Sequence, residues 1–383
     1  MSRTLGWLLG LVQAMLGARV LWRLWRTGHD APIHAVQESA IQSGSVAIIV
    51  PVLNEAHRLA SCLDGLLAQG PETGEILIVD GGSHDHTREM IRARASGDKR
   101  LRLVEADRAP TDWNGKVWGL SIGEHALRSS AEWILTLDAD VRAAPALARS
   151  LLATARQRDL RMLSVATAQH LSGAAEGLLH PALLATLVYR FGRPGGSTRS
   201  PSRAMANGQC CLIRRDLLHQ LGGFWVVRDS LCEDVTLARL AASSGDAVGF
   251  FEAEGLVEVA MYAGWRDAWR NWPRSLATRD ALSGLAGWLG LLEVLLVQAL
   301  PLPLLLGRWP VGTPCRLNLL LLAVRAGMLV GMARAYPSRP PTYWLSPLLD
   351  LPAALALWRS ALRRRHTWRG RTYQRQKGLI VAV

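Results

Sequence analysis

Phenylalanine and tyrosine are scarce in this chain: 4 Phe and 5 Tyr in 383 residues, against 15 Trp. Tryptophan favours membrane interfaces, where its ring is half apolar and its N–H stays wet. Acids are also in deficit, with 31 Asp and Glu against 44 Lys and Arg, a net charge of +13. That excess suits an anionic partner (nucleic acid, a phosphorylated substrate or an acidic lipid surface) and does not choose among them. The five cysteines are an odd count and contain no C-x-x-C pair. A disulfide scaffold and a zinc site are therefore poorly supported, and reduced thiols on the cytoplasmic side of a membrane are the simpler reading. There is no internal repeat. The length suits one large catalytic domain plus membrane segments.

A cleavable leader is not expected either. The apolar stretch from Leu5 to Trp22 carries its positive charges, Arg19, Arg23 and Arg26, at the far end, the reverse of a signal peptide. An uncleaved anchor over 1–28 with its C-terminal end inside fits the positive-inside rule. Arg19 lies near the segment's end, where it can snorkel. Residues 30–44 read as a polar linker. From about Ser45 short β-branched runs alternate with helical patterns. Strands are expected at 46–51, 75–79, 101–105 and 133–137, with Asn54 capping a helix over 55–69, Ser83 capping the next, and another helix from about Pro145. This rhythm predicts an α/β fold: a doubly wound, mainly parallel sheet with helices on both faces, over 45–280. Arg193–Arg203, rich in Gly, Ser, Pro and Arg, reads as a mobile loop. Membrane-like sequence occupies 281–383, with spans expected near 284–307 and 317–336. The segment 342–362 is expected to lie in the interface or re-enter, which leaves the basic tail inside. Glu293 and Arg325 are charges within the spans, expected to face a partner or the acceptor route.

Acids collect at the predicted strand ends: Asn54 and Glu55 after the first, Asp80 after the second, Asp138 and Asp140 after the fourth. In open α/β sheets that edge is where ligands bind. Residues i and i+2 of a strand share a side, so Asp138 and Asp140 are expected side by side. Such a pair suits Mg²⁺ or Mn²⁺ bridging a diphosphate, although D-x-D alone is often a solvated turn. Asp80-Gly-Gly-Ser83 allows close ligand approach. His84 and His86 read as exposed helix-start residues rather than ligands. Lys116, at a helix start, is placed for an anion. Glu233 and Asp234 precede a helix; such acids are usually caps, and a helix N-terminus also keeps a carboxylate ionised, as a general base requires. Trp265–Arg274 alternates Trp and Arg, either as an interfacial helix or as a segment closing the site with Arg270 or Arg274.

Taken in order, Val50-Pro-Val-Leu-Asn-Glu55, Val79-Asp-Gly-Gly-Ser83, Trp113-Asn-Gly-Lys116, Asp138-Ala-Asp140, Asn207-Gly-Gln209, Gly222-Gly-Phe224 and Glu233-Asp234 resemble a family 2 glycosyltransferase with the GT-A fold. The membrane layout and the Trp368-Arg-Gly-Arg371 tail resemble the hopanoid-associated, carotenoid and ceramide group. The resemblance implies inverting transfer of a hexose, from UDP-glucose or a related donor, to a carotenoid- or hopanoid-type lipid. It implies Asp234 as the base, Asp140 on Mn²⁺ or Mg²⁺, and Asp80 on the nucleoside, with Asp138 near the donor. Pro51, Asn54, Glu55, Lys116, Gln209, Glu233, Arg270 and Arg274 complete the expected donor site. The motif of processive members after the base is absent: the nearest segment is Arg270-Asn-Trp-Pro-Arg274, which argues against polymer synthesis. The expected setting is a bacterial plasma membrane with the catalytic domain facing the cytoplasm and no obligate protein partner.

Three rivals remain. A nucleic-acid binder fits the charge, but no such motif is present and the Arg clusters flank apolar spans. A transporter or scaffold would need more spans. Within enzymes, the acceptor could instead be a polyprenyl phosphate or a cell-envelope polysaccharide.

Overall fold

The structure is a computed structural model describing residues 3–37, 42–276, 284–307, 315–363, 365–368, 371–376 and 379–382. Part of the expected 30–44 linker, the expected 280/281 boundary and the centre of the Trp368–Arg371 motif lie outside them. In chain order the elements are α1 (Arg3–Arg26), β1 (Val46–Val52), α2 (Leu59–Leu67), β2 (Thr73–Asp80), α3 (Thr87–Ala95), β3 (Leu101–Glu105), α4 (Gly115–Ala126), β4 (Trp133–Leu137), β5 (Val141–Ala143) and α5 (Leu147–Gln157). Then come β6 (Met162–Ala166), β7 (Ala168–Gln169), α6 (Ala174–Phe191), β8 (Gly196–Thr198), β9 (Cys210–Arg214), α7 (Arg215–Leu221), α8 (Glu233–Ser243), β10 (Val248–Glu252) and β11 (Val257–Val259). The last are α9 (Trp265–Leu276), α10 (Leu285–Glu293), α11 (Pro301–Gly307), α12 (Cys315–Met332), α13 (Asp350–Leu362), β12 (Arg365–Trp368), β13 (Arg371–Gln376) and β14 (Leu379–Ala382).

The chain divides into two compact units. One, Asp30–Ala168 with Pro194–Ala260 and Arg364–Val383, is built on an eight-stranded sheet of order β3-β2-β1-β4-β9-β6-β10-β8. Strands β3, β2, β1 and β4 run parallel, as do β6 and β10; β9 and β8 are antiparallel to their neighbours. Period-2 alternation sorts β1 between two cores. Ile48 and Val50 join Leu59, Leu63 and Leu66 of α2 on one face, and Ile49 joins Val117 and Leu120 of α4 on the other. Helix α4 lies close on β1 because it carries glycine where it crosses: a Cβ on Gly123 would lie 2.5 Å from Ile49 Cγ2, and one on Gly119 2.9 Å from Pro51 Cβ. This packing fixes the start of α4, and with it Lys116, over the strand ends.

Three local expectations are corrected. Asn54 does not cap α2, which begins five residues later after Arg58. It takes a left-handed conformation, φ 55°, which Asn tolerates better than most residues. Its Oδ1 accepts the His84 N–H at 2.8 Å, and its own N–H donates to Ser83 Oγ at 2.8 Å. Asn54 and Ser83 therefore tie the loops after β1 and β2 together, and Ser83 is no cap for α3. The segment 193–203 is not simply a loop, since Gly196–Thr198 pairs with Val248–Phe250 as the edge strand. A sheet edge needs a partner for its backbone groups, and Gly and Ser composition does not prevent pairing.

The other unit, Met1–His29 with Gln169–Arg193 and Met261–Arg363, is helical. Residues 169–193, which the sequence reading included in the catalytic span, pack here through Leu179 and Leu183 beside Trp272, Val297, Leu329 and Leu357. Helix α1 is inverted relative to a soluble helix: Gln13 is 0% exposed while Trp7, Leu11 and Met15 are 64%, 58% and 57% exposed. Gln13 Nε2 donates to Leu296 O at 2.9 Å and Asn318 Oδ1 at 3.2 Å. Among the described residues two helices are by length and composition apolar enough to cross a membrane, Thr4–Arg26 and Cys315–Ala335. A third is counted if Leu285–Ala299 and Pro301–Gly307, bent by 42°, act as one span. The bend falls where a π-helical turn, Val294–Ala299, meets Pro301, which lacks an N–H. The expected interfacial segment is a 3₁₀ helix, Pro341–Leu349, running into α13.

The charges expected to face a partner or acceptor route are paired inside this unit. Glu293, fully buried, receives Arg23 at 2.8 Å and also Arg19. Arg325 binds Asp350 at 2.8 Å, with Ser346 Oγ at 3.2 Å, and Gln298 donates to the same Asp350 at 2.9 Å. An apolar environment makes such charges costly alone, so pairing satisfies them locally.

Candidate active site

The site in the sheet-containing unit is assembled by backbone contacts. Asn114 caps α4, its Oδ1 accepting the Lys116 N–H at 2.9 Å, while its Nδ2 donates to Ser230 O at 2.7 Å. One residue thereby joins the start of α4 to the segment leading into α8. Strands β4 and β9 run antiparallel with Leu137 opposite Cys210, and the Asp138 N–H donates to Gln209 O at 3.2 Å. The Asp138 turn and the Gly208–Gln209 backbone are thus neighbours by register.

Between these elements sits Lys116. Its Nζ lies 2.7 Å from Asp138 Oδ1, 2.8 Å from Glu233 Oε1 and 3.0 Å from Gly208 O. Gly208 serves the acid beside it too, its N–H donating to Asp234 Oδ2 at 2.6 Å; the Val235 N–H reaches Asp234 Oδ1 at 2.8 Å. A side chain at 208 would intrude: its Cβ would lie 2.8 Å from Lys116 Nζ, 3.0 Å from Glu233 Oε1 and 3.3 Å from Asp234 Oδ2. The glycine of Asn207-Gly-Gln209 is needed for close approach, and φ has no part in it. Gln209 itself is buried, accepting from Thr167 Oγ1 at 2.6 Å.

Electrostatics at α8 differ from the sequence expectation. Burial, and then the neighbouring Glu233, push the Asp234 carboxyl up to about 7, although Lys116 and the two backbone N–H groups pull the other way. The helix N-terminus does not suffice to keep this acid fully ionised, because desolvation and a like charge outweigh it. Burial opposes the charge on Lys116, but Asp138, Glu233 and Asp234 outweigh it, so the ammonium is held firmly protonated.

Asp138 and Asp140 lie in the turn after β4 rather than on the strand, so strand alternation does not set their relative placement. Each meets a different cation: Asp138 has Lys116, and Asp140 Oδ2 lies 3.3 Å from Arg58 Nη1. Arg58 also holds the buried Glu55, with Nη2 to Oε1 at 3.0 Å. Asp80 is fully buried and accepts from the Ser83 N–H at 3.1 Å and Arg88 Nε at 2.5 Å. Pro51 is partly buried at the end of β1. His84 and His86 are exposed. Arg270 and Arg274 belong to α9, in the helical unit.

Sequence reading missed four contributors. Arg58 stands three residues after Glu55 and Arg88 eight after Asp80; each is a base on or beside the helix following a strand-end acid. Gly208 lies at the centre of Asn207-Gly-Gln209. Tyr373, on β13, is buried, and its hydroxyl lies 3.4 Å from the Gly115 N–H, one residue from Lys116. Four cysteines of this unit, Cys62, Cys210, Cys211 and Cys232, are buried and unbridged, whereas Cys315 is exposed.

For a divalent cation the donor chemistry is suitable. Asp138 and Asp140 offer hard carboxylate oxygens, and among the described residues no group of three or more His, Cys, Asp or Glu is gathered to hold a metal. Mg²⁺-type ions commonly take one or two protein carboxylates and complete their shell with substrate phosphates and water. The residues therefore fit such an ion as an open, partial site.

Comparison with known proteins places this unit. The family model described as Glycosyl transferase family 2 matches residues 47–222. Glycosyltransferase GlyG of Streptococcus pneumoniae is 27% identical over 95 residues, covering 25% of this chain and 30% of the relative. Glycosyltransferase AglE of Haloferax volcanii is 30% identical over 97 residues, with the same two coverages of 25% and 30%. The chain thus matches under a third of the length of these relatives. In structure it is similar to the mannosyltransferase PcManGT of Pyrobaculum calidifontis, solved with GDP-Man and Mn²⁺. The TM-score is 0.53 at 16% identity, covering 94% of this chain and 98% of the other. Residues 47–222 thus match the family 2 glycosyltransferase model, and the fold is the GT-A fold of such neighbours.

Proposed function

We propose that the protein is an inverting, non-processive hexosyltransferase that takes its sugar from a nucleotide diphosphate donor, UDP-glucose in the first instance. Its acceptor is the hydroxyl of a carotenoid- or hopanoid-type lipid at the membrane. The observation that carries this reading is the Lys116 bridge, which ties Asp138 to Glu233 and, through Gly208, to Asp234. Asp234, oriented by two backbone N–H groups, accepts the proton of the acceptor hydroxyl. The hydroxyl oxygen bonds to the anomeric carbon as the bond from that carbon to the diphosphate oxygen breaks. Lys116 holds positive charge beside the place where the departing diphosphate gathers negative charge. Asp140, with Asp138 near it, would hold Mn²⁺ or Mg²⁺, which when bound supplies further charge neutralisation. The GDP-Man and Mn²⁺ found in PcManGT are in keeping with that chemistry. Asp80, paired to Arg88, is assigned to the nucleoside.

The inverted helix α1 and the apolar α12 support a membrane setting, since lipid takes outward apolar faces and inward polar ones. Membranes containing the full chain, incubated with labelled UDP-glucose or GDP-mannose, are expected to yield a labelled lipid monoglycoside. Asp140→Asn is expected to lower that label by at least about a hundredfold, in line with the loss of an electrostatic transition-state contact. Label that enters long polysaccharide instead, or lipid label untouched by Asp140→Asn, would overturn the assignment.

A further inference from the structure

Arg58 stands outside the seven motifs, yet it touches the acid assigned to the metal. Its backbone is fixed: the Arg58 and Leu59 N–H groups both donate to Glu55 O, at 3.0 and 2.9 Å, and Leu59 is wholly buried in the core under the sheet. Glu55 is pinned in turn by its N–H to Thr87 Oγ1 at 2.9 Å. From this base the guanidinium grips Glu55 through Nε and Nη2 and turns Nη1 to Asp140 Oδ2 at 3.3 Å. A guanidinium keeps its charge at any working pH. Asp138 is meanwhile engaged by Lys116 at 2.7 Å. Both carboxylates of Asp138-Ala-Asp140 are therefore already matched by the protein's own cations.

We propose that Arg58 is the resident counter-cation of Asp140. It weakens the binding of a bare divalent cation there and makes metal binding depend on a diphosphate arriving with it. A divalent ion next to Asp140 must face Arg58 or displace it, and both are unfavourable between like charges. A diphosphate brings the negative charge that offsets this and can itself accept the freed guanidinium. The protein thereby takes metal and nucleotide together. This inference rests on the assignment of Asp140 as the metal-binding acid.

The test is Mn²⁺ binding to the full-length, detergent-solubilised protein, read from the electron paramagnetic resonance signal of free Mn²⁺, with no turnover involved. Wild type is expected to bind Mn²⁺ alone weakly and at least about tenfold more tightly with UDP or GDP, a usual size for coupling between two ligands. Arg58→Gln is expected to bind Mn²⁺ alone about tenfold more tightly than wild type, with the nucleotide effect reduced to match. Arg58→Lys, which keeps the charge, is expected to follow wild type. Because Arg58→Gln also removes a partner of the buried Glu55, the double variant Glu55→Gln/Arg58→Gln is measured beside it. Affinity for Mn²⁺ alone that is unchanged or lower in whichever of these variants folds overturns the proposal. So does a wild type that binds Mn²⁺ equally with and without nucleotide. Adding Asp140→Asn to Arg58→Gln is expected to abolish the gain. If the gain survives, the ion sits elsewhere, and the Asp140 assignment falls with the proposal.

Discussion

Asp234→Asn is expected to lower sugar transfer by roughly 10²–10⁴-fold, the usual worth of a positioned general base, with little change in nucleotide affinity. The asparagine keeps one oxygen for either the Gly208 or the Val235 N–H and sets its own NH2 against the other, so thermal unfolding of the variant is measured beside its rate. The wild-type pH profile carries the same signature. Burial and Glu233 raise this acid to about 7, and only its deprotonated form accepts a proton. kcat/KM for the acceptor should therefore climb through about pH 7 to a plateau above it, and fall about tenfold per pH unit below it. Steady-state rates between pH 5 and 9 check this; a flat profile, or an active Asp234→Asn, would remove Asp234 from the role.

Lys116→Met should be almost as damaging, by another route. The ammonium is the partner of Asp138 and Glu233 and one of the groups that lowers the proton affinity of Asp234. Without it the acidic limb should move to higher pH, because a desolvated acid loses a nearby positive charge. Less of the base is then ionised at neutral pH, and the diphosphate loses its lysine. Breaking a fully buried ion pair costs about 3–5 kcal/mol; Asp138 is 30% exposed, so water takes up part of that here. The checks are thermal unfolding of the solubilised protein and the same pH series. An unshifted limb in a folded Lys116→Met protein would show that the lysine does not govern Asp234.

Much of this was open to sequence reading where one residue's chemistry decides the matter. Val46–Val52 and Thr73–Asp80 are apolar runs bounded by acids and glycine, and such runs form central strands with ligand groups at their ends. The places of Lys116 and Asp234 in the first turns of α4 and α8 followed from ordered motifs at helix starts. What escaped depends on partners distant in sequence. Asn54 and Ser83 look like caps until the loops carrying them are seen to bond each other. Asp138 and Asp140 look like a strand pair until each is found drawn to a separate cation, on α4 and before α2. The acidity of Asp234 is set by burial, which no local pattern reports. Glu293 and Arg325 looked exposed to function because their partners, Arg19, Arg23 and Asp350, lie 25 to about 270 residues away along the chain.

The cysteines carry a practical consequence. Burial raises the thiols of Cys62 and Cys210, and that of Cys211 to about 12, which keeps them as unreactive thiols rather than thiolates. Cys232 is also shielded. Cys315, exposed at the first residue of α12, is left as a native attachment point for alkylating dyes. For the membrane setting proposed above, an impermeant maleimide applied to sealed vesicles of known orientation is expected to report the sidedness of that helix end without any engineered residue.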